Sequence, residues 1–216
     1  MALNFKATEN HSRRYVLERS LAAILVADIV GYSRMMEADA SATIANVRSL
    51  KEAILNPALL STNGELIKSM GDGWLVKFGS AKDAVHCGIT MQKALSNNEI
   101  RVRIGFHLGD IVNDGDDIYG DGINVAARLE SIANPREVVI SDSIYNSLDF
   151  SEREQFGLSE QHTLKNISRE VLLYRWSKAI QNAEQSNDSR ASEQEASNLK
   201  IAPETSLVLV LPLAVR

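Results

Sequence analysis

The sequence predicts an α+β domain built on a ferredoxin-like βαββαβ core, with additional helices and strands following it. Three observations carry that prediction: the buried-strand run "LAAILVADIV", the glycine-centred hairpin "IKSMGDGWLVKF", and helical periodicity on either side of the hairpin. Strand, helix, hairpin, helix and strand follow in that order, which is the split βαβ arrangement with helices on one face of a sheet.

"LAAILVADIV" is continuously apolar and β-branched towards its end, the pattern of a strand buried on both faces. From Asp39 to Leu60, Ile44, Val47, Leu50 and Ile54 recur at helical spacing. Asp39 or Ser41 can act as N-cap, and Pro57 falls near the end. "GELIKSM" and "GWLVKF" flank Gly71-Asp72-Gly73, whose glycines supply the positive φ of a tight turn. Ala81 to Leu95 is a second helix, with Ala84, Val85, Gly88, Ile89 and Leu95 towards the core. "EIRVRIGFHLGDIV" is a long strand, "DGINVAARLESIA" a helix, "EVVIS" a strand and "EVLLYRW" a final strand near the edge.

These assignments divide the chain into an N-terminal arm (1–19), a folded domain (20–177), a polar linker (178–200) and a short apolar segment (201–216). The linker, "KAIQNAEQSNDSRASEQEASNLK", has too few large apolar residues to order itself.

With 216 residues, 44% of them hydrophobic, the chain can bury one sizeable core. A net charge of -5 argues against general nucleic-acid or anionic-membrane binding, which needs a basic excess. One cysteine, Cys87, leaves no intrachain disulfide and no thiolate cluster for zinc, so a reducing, cytoplasmic setting is expected. Arg13, Arg14 and Arg19 before "LAAILVA" imitate a signal peptide, but Asp28 interrupts the apolar run, and "LVLVLPLAV" is far short of the ~20 residues of a membrane span.

Two aspartates stand in unusual company: Asp28 at the end of a buried strand and Asp72 at the tip of the hairpin. Taken singly, Asp28 reads as a helix cap and Asp72 as a turn residue. In a split βαβ sheet the two positions are adjacent, and converging carboxylates beside a glycine-containing helix start suit a hard divalent cation carrying a polyphosphate. The amides of Gly31, Tyr32 and Ser33 can hold phosphate at that helix start.

At this point the chain resembles the class III adenylate/guanylate cyclase catalytic domain, from about Leu21 to Trp176. The resemblance rests on "AILVADIVGYSRMMEAD", "IKSMGDGWLVKF", "RVRIGFHLGDIV", "DDIYGDGINVAARLE" and "LKNIS", in the family's order and approximate spacing. It implies the nucleotide cyclase fold and makes Asp28 and Asp72 the metal-binding aspartates, with the carbonyl of Ile29 a further ligand for Mg²⁺ or Mn²⁺, two ions per active site. It makes Lys68 and Asp117 the pair that reads the purine. An ammonium can donate to adenine N1 and a carboxylate can accept from the N6 amine, whereas guanine would turn both contacts unfavourable. Asn124 and Arg128, four apart on one helix face, match the asparagine that orients the ribose and the arginine that stabilises charge at the α-phosphate. Arg103 matches a phosphate-contacting arginine, and Lys165 a contact to the terminal phosphates.

The resemblance thus implies an adenylate cyclase in intracellular signal transduction. It would turn ATP into 3′,5′-cyclic AMP and pyrophosphate at sites shared by two domains packed head to tail. Because this chain carries both half-sets, a symmetric homodimer is implied. The alternatives are a guanylate cyclase, a catalytically silent cyclase-like domain, and a diguanylate cyclase, whose GGDEF-like hairpin is absent. "SLVLVLPLAV" resembles the opening strand of a further domain that often follows this one, or supplies an added sheet strand.

Other features have plainer readings. His107, among apolar residues with no ligand-spaced partner, is structural; "GDG" at 120–122 lacks the third glycine of a dinucleotide loop. The sequons "NHS", "NDS" and "NIS" are incidental in a cytoplasmic protein. Two features depart from the family pattern: Trp74 stands where the resemblance implies a smaller aliphatic residue, and "SNNEIRVR" is a short connection that would alter the rim of the implied dimer.

Overall fold

A computed structural model describes residues 18–114, 117–163 and 170–177. The expected linker, the C-terminal segment, most of the N-terminal arm and Lys165 lie outside the described residues. The central strand β1 (Glu18–Ile29) pairs antiparallel with β3 (Gly73–Phe78) on one side and β4 (Val102–Asp114) on the other. With β2 (Glu65–Ser69) beyond β3, these strands run β2-β3-β1-β4, the ferredoxin-like order. The sheet continues through β6 (Val138–Ser141), β8 (Glu170–Trp176) and β7 (Glu160–Thr163). β6 lies parallel to β4, and the short β5 (Asp117–Tyr119) folds back onto the end of β4.

The apolar run of β1 from Ala22 to Ala27 is explained by its two covered faces, while Leu21 before it is 63% exposed. Ala23, Leu25, Ala27 and Ile29 join a core with Leu50, Leu55, Val85 and Met91. Those residues come from α2 (Ala40–Leu50), the adjoining Lys51–Leu55 segment and α4 (Ala81–Ala94). Ala22, Ile24 and Val26 point the other way, into a second core with Leu75, Ile111, Ile118 and Ala126 of α5 (Asp121–Ile132). Helices therefore cover both faces, not one as the split βαβ reading expected. The sequence order alone does not say on which side an added helix packs.

The predicted helix from Asp39 to Leu60 is helical throughout but not uniform. Asp39 is the N-cap, accepting from the Ala42 amide at 2.9 Å. At Lys51–Leu55 the helix widens to a π turn, in which the Asn56 amide donates to Lys51, before α3 (Asn56–Ser61) resumes. Pro57 explains the widening, because it has no amide to donate and its ring would meet the carbonyl of Ala53 in a regular helix. The core-facing stripe is Thr43 and Leu50, buried, with Val47 and Ile54, half-buried, so the predicted core residue Ile44 lies a quarter-turn away and is 48% exposed. The predicted core residues of α4, and Leu95 just after it, are all buried; Cys87, buried beside them, has its thiol pKa pushed up to about 11 by desolvation.

Trp74 is fully buried opposite Ala27, which explains how the large residue fits: its partner strand offers only a methyl group. "EVLLYRW" lies near the edge as expected, one strand in, with β7 beyond it. β5, β7, α6 (Asp142–Tyr145) and α7 (Phe150–Arg153) escaped prediction because three or four residues carry too little periodicity to read. No described helix is long and apolar enough to cross a membrane.

Candidate active site

The two aspartates are brought together by sheet register. Asp28, the penultimate residue of β1, lies opposite Gly73 on one side and opposite Arg103 on the other. The Ile29 amide donates to the carbonyl of Asp72 at 2.9 Å, which ties the hairpin tip to the end of β1. Gly71 turns the tip at φ 80°, where a side chain would be strained. A Cβ on Gly73 would lie 2.9 Å from the Ala27 carbonyl, so only glycine lets the tip seat this closely beside Asp28.

Next to this corner begins α1 (Tyr32–Ala38), with Gly31 as its N-cap in the left-handed region at φ 77°. Ser33 is exposed and Tyr32 half-buried. The Tyr32 hydroxyl lies 3.9 Å from where a Cβ of Gly71 would sit, so the predicted phosphate loop and hairpin tip adjoin.

Arg103 reaches the same corner. Its Nη2 is 2.6 Å from Asp28 Oδ2 and 3.0 Å from Oε1 of Glu130. Glu130 is buried, and its Oε1 has no aligned hydrogen-bond donor despite the short ionic contact. Desolvation pushes its pKa up to about 7; Arg103 opposes the rise, while Asp28 and Asp72 add to it. Sequence reasoning passed over Glu130. The signal was present, because Ala126, Glu130 and Ala133 share one helix face that is otherwise apolar.

Lys68 and Asp117, distant in sequence, meet at 2.7 Å between β2 and β5. Their hydrogen bond holds the lysine pKa above and the aspartate pKa below the ordinary value, and the Ile118 amide also donates to Asp117 at 2.9 Å. Asn124 and Arg128 are exposed on the outer face of α5. His107 is buried with Nδ1 2.8 Å from the Ser141 hydroxyl, in keeping with a structural role.

The donor set at the corner consists of hard oxygens, as Mg²⁺ and Mn²⁺ require. No cluster of three or more His, Cys, Asp or Glu suited to a metal occurs among the described residues. Asp28 and Asp72 are thus a pair, and an ion they held would have coordination positions left for substrate oxygens.

The family model for the adenylate and guanylate cyclase catalytic domain matches residues 17–170. A Rhizobium meliloti (strain 1021) protein named "Putative adenylate cyclase 3" is 41% identical over 169 residues, which make up 74% of this chain and 29% of that protein. The chain thus spans under a third of that relative's length. A crystal structure of an adenylate/guanylate cyclase/hydrolase from Silicibacter pomeroyi shares 35% identity at a TM-score of 0.69, covering 74% of this chain and 98% of that one. The adenylyl cyclase CyaB of P. aeruginosa, 23% identical with a TM-score of 0.62 over 73% of this chain and 94% of its own, has the same fold. By sequence match and by fold, this chain belongs to the adenylate and guanylate cyclase catalytic domain family.

Proposed function

We propose that the domain is an adenylate cyclase that converts ATP into 3′,5′-cyclic AMP and pyrophosphate as a symmetric homodimer, in intracellular signalling in the cytoplasm. The observation that carries this reading is the convergence of Asp28 and Asp72, with Arg103 against Asp28, at one corner of the sheet.

Asp28, Asp72 and the carbonyl of Ile29 would hold the ions. Bound there, Mg²⁺ or Mn²⁺, two per site, would lower the pKa of the ribose 3′-hydroxyl and neutralise charge on the phosphates. The reaction joins the 3′-oxygen to the α-phosphorus, breaks the bond to pyrophosphate and releases the hydroxyl proton. Such chemistry needs positioning and charge stabilisation, not a covalent nucleophile. Asn124 orients the ribose, and Arg128 stabilises charge growing on the α-phosphate. The amides of Gly31, Tyr32 and Ser33, the remaining donors of Arg103, and Lys165 bind the other phosphates. Lys68 and Asp117 read adenine; their mutual ion pair holds both side chains in the charge state that adenine requires.

Two features support a shared site. Each helical residue turns ~100°, so Arg128 and Glu130 point to opposite sides of α5. Arg128 is directed outward, away from the side that meets Arg103 and Asp28. On the sheet face that α5 covers, Ile67, Ile123 and Ala127 are half-covered at the margin of the second core, while Met70 at the hairpin tip and Tyr119 of β5 are 51% and 55% exposed. A second copy of the chain packed on this face would bring Arg128 of one protomer to the aspartates of the other.

Purified protein incubated with ATP or GTP and Mg²⁺ or Mn²⁺ tests the reading. Cyclic AMP from ATP is expected. Cyclic GMP from GTP alone would make the domain a guanylate cyclase, and no product under any condition would make it a silent domain.

A further inference from the structure

A buried carboxylate is rare unless paired or functional. Glu130 is 8% exposed, and its Oε1 is held by one ionic contact without hydrogen-bond alignment. Burial on these terms costs stability and does not supply it. Its surroundings nevertheless place it with care. Gly105, one step beyond the strand residue that follows Arg103, lets α5 lie directly on β4. A Cβ there would be 2.2 Å from the Glu130 amide nitrogen and 2.4 Å from the Ala126 carbonyl. The Nη2 of Arg103 is then shared between Glu130 at 3.0 Å and Asp28 at 2.6 Å.

We infer that Glu130 is a positioning residue which, through Arg103, sets the Asp28 carboxylate for its cation. Helix α5 thereby serves two active sites, its own chain's through Glu130 and its partner's through Asn124 and Arg128. The second half of this inference rests on the shared-site reading above. Without Glu130 the whole guanidinium charge falls on Asp28 and competes with the cation for the same carboxylate. With Glu130 ionised, the arginine is neutralised from behind and one Asp28 oxygen stays oriented by an arginine of fixed position. Carboxylates that hold a ligand's partner in this way act on metal affinity without touching the metal.

The test uses the full chain carrying Glu130→Gln, which keeps shape and removes charge. Mn²⁺ alone is titrated into wild type and variant, with free Mn²⁺ followed by its paramagnetic resonance signal and folding checked by thermal melting. An affinity about tenfold or more weaker, with a melting temperature no lower than wild type, is expected. Equal affinity overturns the role of Glu130, and no Mn²⁺ binding by either protein overturns it together with the metal site. Mixed-chain assays test the two-site arrangement. Glu130→Gln mixed with Arg128→Ala regains activity, because one composite site has both intact halves. Glu130→Gln mixed with Asp72→Ala does not. Rescue by Asp72→Ala would place Glu130 with the outer-face residues and overturn the inference. The control pair Asp72→Ala with Arg128→Ala separates the readings: if it fails, sites are not shared and α5 cannot serve two, while the Mn²⁺ titration still decides Glu130.

Discussion

Lys68 and Asp117 show how a residue's meaning changes with its neighbour. A lysine in a hairpin strand is ordinarily solvated, and this one is half-exposed. Its 2.7 Å contact with a carboxylate 49 residues away makes a defined donor–acceptor edge on the surface. Replacing Lys68 with Glu and Asp117 with Cys is expected to lower the ratio of ATP to GTP turnover at least tenfold, because the donor and acceptor that favour adenine are both lost. Cyclase assays on the double variant check this; an unchanged ratio would remove both residues from base reading. Glu130 teaches the converse lesson. Its helix spacing put it on an apolar face, but only the contact with Arg103 gave the charge a purpose.

Helix α5 depends on glycines in the strand beneath it. At Gly105 an added methyl would meet backbone atoms of Glu130 and Ala126, which cannot rotate away as a side chain could. Gly105→Ala is therefore expected to lift α5 and destabilise the fold by about 2 kcal/mol or more, a fall of roughly 4–8 °C in melting temperature. Gly79, where an added Cβ meets nothing within 4 Å, is the matched control, and Gly79→Ala should melt like wild type. Activity of Gly105→Ala should fall further than its melting temperature explains, because Glu130, Asn124 and Arg128 ride on the displaced helix. The π turn before Pro57 belongs to the same scale: one residue without an amide reshapes the turn preceding it.

At the scale of the molecule, the proposed shared site has the outward Arg128 of one chain meet the corner of Asp28 and Asp72 of another. Asp72→Ala and Arg128→Ala, each inactive alone, are expected to recover activity on mixing. Random association puts about half the dimers in the mixed form with one intact site of two, so about a quarter of wild-type activity is the ceiling. No recovery, with mixed dimers shown to form, would exclude a shared site.

The strand run before Asp28, the Asp39 cap, the glycine hairpin and the two main helices were legible in the sequence, because each depends on residues within one or two turns of one another. So was the family, since its motifs are contiguous strings. The pairing of carboxylates was legible only through the topology those elements implied. The short elements β5 and β7 were not, and with β5 hidden the place of Asp117 could not be read from periodicity. The sequence by itself determined the residue types expected at the site and, Asp117 and Lys165 aside, the elements that bear them. The tertiary structure alone decided that Arg103 meets Asp28 across 75 positions of chain, that Glu130 stands behind it, and that α5 covers the second face of the sheet. The physical reason is that an ion pair's strength depends on separation and surroundings in space, and strand register, which fixes both, is a property of strands that meet only after folding.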